Sequence, residues 1–253
     1  MISAPSKTRS GPHPIILWLF SSLGKKTIVA LTGIVLVMFV TGHLLGNFTL
    51  YLGQDWLNWY ALHLQHLGPE MFGIYPALWV IRLAMLTTLV VHIFFTMLLW
   101  KENAAARPKK YLASEKGITS VFARTMRLTG AIVLAFIVFH LAHFTLMVVD
   151  PGFKHMEAAL TIEGKTHQVH DVYTMVVKGF QNAPVSIIYI VCLFLLTFHL
   201  SHGIGSLFQT LGLTNRAMHK TIENATKAYA WLLYLGYISI PLSILTGIVQ
   251  LPK

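Results

Sequence analysis

Five stretches of this chain are long and apolar enough to cross a bilayer, roughly 24–52, 76–100, 125–149, 184–212 and 228–250, since about 20 mostly apolar residues suffice. Lipid offers no water to backbone amides, so each stretch must close its hydrogen bonds on itself as a helix. The expected fold is an all-α membrane protein with five transmembrane helices. Composition agrees: 11% of the 253 residues are charged, against about a quarter in soluble domains. Pro76 and Pro184 open the second and fourth spans, where the first helical turn accepts proline.

No Gly- or Ser-rich linker divides the chain, so residues 24–253 are read as one domain behind an N-terminal region, 1–23. That region is a polar tail without a small-residue cleavage site, hence read as retained. It ends in a short apolar stretch, Pro14 to Phe20, placed along the membrane interface. The connection 150–183 is too long for a turn and is expected to hold a short surface helix over the bundle mouth. Trp56, Trp59, Tyr60, Trp79 and Trp100 sit at span ends as interfacial anchors.

The formal charge is +10, which on so apolar a chain fits loops beside an anionic leaflet rather than nucleic acid. Fourteen of the 19 basic residues lie in the tail, the 101–127 connection and the 212–227 connection. The positive-inside rule then puts the N-terminus in the cytoplasm and the C-terminus outside, as in a multi-pass protein of a bacterial inner membrane.

The thirteen histidines outnumber the nine carboxylates, and six fall in spans: His43, His92, His140, His143, His199 and His202. The first span reads TGIVLVMFVTGHLLGNFTL from Thr32 and the third TGAIVLAFIVFHLAHFTLM from Thr129. Gly33 precedes His43 by the same spacing as Gly130 precedes His140. The second and fourth spans run the other way, with His92 and His202. Counted along the helices, His43 and His140 fall on the outer side of the midplane and His92 and His202 on the inner side.

One intramembrane histidine is accounted for by an interhelical hydrogen bond worth about 0.6 kcal/mol. Four helices each offering one, paired by depth and direction, point to a shared ligand. Zinc prefers a tetrahedral cluster of close donors. Facing histidine pairs suit flat macrocycles with two axial ligands, that is, noncovalent bis-histidine haem. The lone cysteine, Cys192, and the lack of C-x-x-C-H exclude a disulfide framework and covalent haem attachment.

Spans one to four form the expected haem-binding four-helix bundle, with a histidine-free fifth helix peripheral to it. Gly42, Gly46, Gly203 and Gly205 flank the proposed ligands and permit close approach. Gly33 and Gly130 lie where the edge of the inner macrocycle would lean. His143 and His199 stand three residues from proposed ligands; the repeat spacing favours His140, and the following glycines favour His202. Arg82 and Arg127, at span ends, are candidates to neutralise propionates or to snorkel to headgroups.

With these residues, SSLGKK at Ser21 to Lys26 and HGIGSLFQTLG from His202, the chain from about Ser21 to Gly247 resembles the diheme cytochrome b membrane subunit of succinate:quinone oxidoreductases, the succinate dehydrogenases and fumarate reductases. The resemblance implies two haems b, with His43 and His140 ligating the distal one and His92 and His202 the proximal one. It implies two cytoplasmic partners, a flavoprotein with the dicarboxylate site and an iron–sulfur protein, and a membrane quinone, commonly menaquinone in diheme relatives. This chain would be the non-dicarboxylate subunit of the enzyme.

Two positions depart from the family pattern. A glutamate found in some members two residues before the fourth-span ligand is Leu200 here. The quinol-site glutamate of some relatives falls on Gln65 by ungapped count, with His66 and Glu70 nearby, which makes those three the quinone-side candidates, since quinone chemistry needs a proton donor or acceptor beside the ring; a quinone site on the cytoplasmic side, nearer the proximal haem, is the equal alternative. Other readings compatible with the same pattern are a diheme cytochrome b of another quinone-linked dehydrogenase and a haem-free transporter or anchor with proton-relaying histidines. The parallel repeat and unbroken helices argue against the transporter.

Overall fold

The computed structural model describes residues 13–71, 75–106 and 121–252, with side chains described from Thr125 onward in the last segment. The polar tail up to residue 12 and the basic run at 107–120 lie outside the described residues, as does the charge count resting on them.

The chain opens with α1 (Pro14–Leu19), a short helix with exposed Ile15, Leu17 and Trp18. It turns at Ser21, whose hydroxyl accepts from the Gly24 amide at 3.0 Å and caps α2 (Ser22–Asn47). Gly24 is obligatory there, because a Cβ would strike the Trp18 carbonyl of α1. A 3-10 turn (Phe48–Leu52) and Gly53, at φ 105°, lead into α3 (Gln54–Gln65). This helix was not foreseen in the sequence. Next comes α4 (Ala77–Ala105), followed by α5 (Val121–His140), which runs on as a π turn through Leu141–Thr145.

The 150–183 connection holds two things. The expected surface helix is α6 (Val172–Gln181). Before it lies an antiparallel hairpin, β1 (Glu157–Ile162) and β2 (Lys165–His170), paired Ile162 to Lys165. Its two-residue turn, Glu163 and Gly164, has φ of 49° and 77°, as a type I′ turn demands. Finally come α7 (Ala183–Thr210), capped by Asn182 and closed at Gly212 (φ 69°), and α8 (His219–Leu245), closed at Gly247 (φ 75°). The fifth span therefore begins nearer residue 219 than 228, its polar first turns still being helical.

Among the described residues five helical segments are long and apolar enough to span a membrane: Ser22–Leu52, Ala77–Ala105, Thr125–Thr145, Ala183–Thr210 and His219–Leu245. This is an all-α membrane protein, its hairpin confined to one end. Polar side chains inside the spans satisfy themselves locally: Thr32, Thr41, Thr96, Thr129 and Thr197 each return their hydroxyl to a carbonyl in the preceding turn.

Helix α7 packs on α5, α2 and α8, while α4 packs chiefly on α2. Helix α8, whose one histidine is His219 at its start, flanks the other four spans, yet it buries Thr226, Ala230, Leu233, Ile240 and Ile244. Helix α4, with no fully buried residue, is the least enclosed span. Two core clusters result. One joins α2, α7 and α8 through Leu44, Leu200, Ala230 and Leu233. The other closes the end bearing α3 and α6, with Leu50, Leu57, Val177, Phe180, Tyr189 and Ile244.

A polar clasp holds that end shut. Asp171, only 5% exposed, accepts from Gln54 Nε2 at 2.8 Å, Asn58 Nδ2 at 3.0 Å and the Thr174 amide at 3.1 Å. Asn58 Oδ1 in turn accepts from the Tyr173 amide at 3.0 Å. Burial pushes the Asp171 carboxyl up, but the hydrogen bonds from Thr174, Asn58 and Gln54 outweigh it and hold the group below its ordinary value. At the opposite end of the bundle, buried Lys25 of α2 forms an ion pair with half-exposed Glu102 of α4.

Candidate functional site

The Thr-Gly motifs of the repeat prove to be seats for imidazole rings. On α2, Gly33 faces the ring of His92 from α4, with His92 Cε1 3.7 Å from where a Cβ would stand. Thr32 Oγ1 lies 3.0 Å from His92 Nδ1. On α5, Gly130 faces a ring from α7 in the same way, but that ring belongs to His199, whose Cε1 would be 3.3 Å from the Cβ. His92 is turned towards the backbone of Val29, and His199 towards that of Met126. Each of these stands three residues before its Thr-Gly threonine. The two helical hairpins α2–α4 and α5–α7 thus repeat one arrangement, in which His199 is the counterpart of His92. His199 lies within electrostatic reach of both His92 and His202, and its Nδ1 is buried without a hydrogen-bond partner.

Towards the α3–α6 end, His43 of α2 and His140 of α5 meet with ring centroids 5.9 Å apart at 77°. His43 stacks on Phe39, one turn back on its own helix, at 5.6 Å and 7°. His140 is held from the other side by Tyr189 of α7, whose hydroxyl lies 3.3 Å from its Nδ1 and 3.1 Å from Nδ1 of His143. The π turn widens the helix at this point and brings His143 onto the same hydroxyl. His143 is buried, its ring centroid 4.0 Å from that of Phe144 and 5.6 Å from that of Phe153.

The four histidines expected on the spans therefore fall out as follows. His43 and His140 come together, and His92 sits in the bundle against α2. His202 is half-buried, and the better enclosed seat opposite His92 is filled by His199. The remaining glycines have separate duties. Gly46 receives the ring of Tyr60 from α3, which a Cβ would strike, whereas Gly42 has open space beside it. Arg82 lies over Trp79 at 5.0 Å and Arg127 over Trp100 at 5.6 Å, so both guanidinium groups rest on tryptophans at span ends, the placement that snorkelling predicts.

Gln65 is the exposed last residue of α3. His66 follows it, its Nδ1 2.9 Å from the Leu62 carbonyl and its ring 4.7 Å from Tyr75. The Tyr75 hydroxyl donates to Glu70 Oε2 at 3.4 Å. His66, Tyr75 and Glu70 are thus joined in one exposed patch, with Gln65 preceding it in the chain.

Paired imidazoles are a donor set that a bis-histidine haem would take. Among the described residues no group of three or more His, Cys, Asp or Glu side chains is gathered as a metal cluster. What exists is paired imidazoles, with the rings of His43 and His140 in edge contact. Tyr189 faces Nδ1 of His140, and Thr32 faces Nδ1 of His92. Such bonds to the far nitrogen orient metal-ligating imidazoles. Sequence reasoning had no signal for Tyr189, one aromatic in an apolar run. It had one for His199, because the Thr-Gly repeat needs a partner for each glycine.

Compared with protein-family models, with curated proteins and with solved structures, the chain matches none.

Proposed function

We propose that this chain is the membrane-anchor cytochrome b subunit of a succinate:quinone oxidoreductase, carrying electrons between an iron–sulfur partner and membrane quinone. The observation that carries the redox reading is the doubled arrangement of intramembrane histidines, one from each of four helices, at two levels of one bundle. The resemblance in SSLGKK and HGIGSLFQTLG supports the particular enzyme. His43 and His140 would hold one haem b, and His92 and His199 the other, with His202 beside the latter. Bound there, the two haems supply one-electron carriers spaced through the bilayer.

The chain's own residues do the rest. Tyr189 and Thr32 fix imidazole orientation, Gly33 and Gly130 admit the rings that face them, and the lipid-facing Leu, Ile and Val rows keep water from the carriers. In this reading the α3–α6 end faces outside, and His66, Tyr75 and Glu70 exchange protons with water beside the quinone. The ends of α2 and α4 joined by Lys25 and Glu102 face the cytoplasm, where the flavoprotein and iron–sulfur subunits dock.

Purified protein in detergent should show reduced b-type absorption bands with close to two haems per chain. His43→Ala and His140→Ala should each abolish the same haem, and His92→Ala and His199→Ala the other. His202→Ala should retain both. Colourless folded protein would overturn the redox reading, and loss of a haem in His202→Ala with retention in His199→Ala would restore His202 as ligand. Copurification with a flavoprotein that reduces quinone from succinate tests the particular enzyme; copurification with a formate or hydrogen-oxidising partner would replace it.

A further inference from the structure

We infer that Tyr189 is a positioning residue for the outer haem, fixing the tautomer and plane of His140 through a hydrogen-bond chain that ends on His143. The inference rests on the reading of His140 as an iron ligand, and goes beyond it in assigning Tyr189 and His143.

A phenol hydroxyl has one proton to donate and lone pairs to accept with. Here it faces two imidazole nitrogens, His140 Nδ1 at 3.3 Å and His143 Nδ1 at 3.1 Å. Only two arrangements satisfy all three groups. In one, His143 donates to the hydroxyl and the hydroxyl donates to His140 Nδ1, which puts the His140 proton on Nε2 and blocks that nitrogen. In the other, His140 Nδ1–H donates to the hydroxyl and the hydroxyl donates to His143 Nδ1, leaving His140 Nε2 as a bare lone pair. Iron binding through Nε2 selects the second arrangement. The chain is then directional: His140 to Tyr189 to His143.

The surroundings hold this geometry without help from the hydroxyl. The Tyr189 ring is wedged among Phe180 at 4.9 Å, Phe136 at 5.1 Å, and Phe139 and Phe144 at 5.9 Å. His143 is 2% exposed and rests against Gly179, where a Cβ would come within 3.3 Å of its Cε1. A hydroxyl fixed in an apolar wall can serve only the groups it faces. A donor bond from Nδ1–H makes the ligating nitrogen more basic, which favours the oxidised iron. Donation onward to His143 polarises the hydroxyl and strengthens that effect.

Tyr189→Phe keeps the ring packing and removes only the hydroxyl, so it is the direct test. The wild-type and variant proteins, purified with haem, are compared by redox titration of each b band and by EPR of the low-spin iron, whose line shape follows the angle between the axial imidazole planes. The expected result is a more positive midpoint for the outer haem, by a roughly tenfold change in the balance of oxidised and reduced iron, equivalent to about 59 mV for one electron. A changed EPR line should accompany it, with the inner haem unmoved. His143→Leu should shift the outer haem in the same direction by less, and remains informative if Tyr189→Phe loses that haem. Wild-type protein with two haems but unchanged titrations and EPR lines in both variants overturns the inference alone. Wild-type protein that binds no haem overturns it together with the proposed function.

Discussion

Gly33 and Gly130 occupy matching places in the repeat and differ in the room they leave. A methyl at Gly33 would sit 3.7 Å from His92, an ordinary contact, whereas one at Gly130 would come within 3.3 Å of His199. On the proposed haem reading, Gly33→Ala is therefore expected to leave both haems in place. On the same reading, Gly130→Ala makes the His199 ring give by a few tenths of an ångström and should lower inner-haem occupancy, up to roughly tenfold as loss of ligand support does, without touching the outer haem. Haem content by absorption separates the two variants, and an unaffected inner haem in Gly130→Ala would show that the ring on Gly130 does not bind iron. This is the part of the site that spacing alone did not reveal. His199 and His202 stand three residues apart on one helix and so on neighbouring faces. The short glycine-rich run after His202 attracts attention, but it is packing across the bundle that decides which ring meets a Thr-Gly seat. The His43 and His140 pair was legible, because both lie the same distance beyond a Thr-Gly in spans of the same direction.

Between α3 and α6 the stabilising chemistry is polar, unlike that of the spans, and its response to acid has a definite sign. The Asp171 carboxyl is held below its ordinary value of 3.8 in the folded chain. Its contribution to stability is therefore complete above that value and is lost as pH falls through the lower folded one. Asp171→Ala removes the cap of α6 and strands the Gln54, Asn58 and Thr174 donors, for an expected loss of roughly 2–3 kcal/mol. Hydrogen exchange in detergent should show α6 opening first in that variant, and in the wild type only at strongly acid pH; equal protection of α6 in both proteins at neutral pH would count against the clasp. The spans were legible from run length, since a lipid-crossing helix must be apolar for its whole length. Helix α3 was not, because its tryptophans read as interfacial anchors in a loop, and only the fit of Tyr60 onto Gly46 shows them to be one helix. The hairpin did carry a signal: the alternation around Glu163–Gly164 ends in a residue suited to positive φ. Its exposed polar strands were hidden by the expectation that a membrane-surface segment would be helical.

At the scale of the whole molecule, the five spans among the described residues have the clasp and its hairpin at one end and the Lys25–Glu102 pair at the other. The orientation proposed above rests on charge. Fourteen of 19 basic residues lie in the tail, the 101–127 connection and the 212–227 connection of the sequence, and short loops rich in Lys and Arg resist translocation. The direction matters to the proposed function, in which the partners would dock on the Lys25 side and electrons would reach the inner pair before the His43–His140 level. Topology can be tested with little disturbance because Cys192 is the chain's single cysteine. In a Cys192→Ala background, Lys165→Cys in the hairpin and Ala217→Cys between α7 and α8 both place a thiol at an exposed position. A membrane-impermeant maleimide applied to intact cells should label Lys165→Cys fully, and Ala217→Cys only after lysis. The reverse pattern would turn the bundle over and put His43 and His140, rather than His92 and His199, next to the cytoplasmic electron donor.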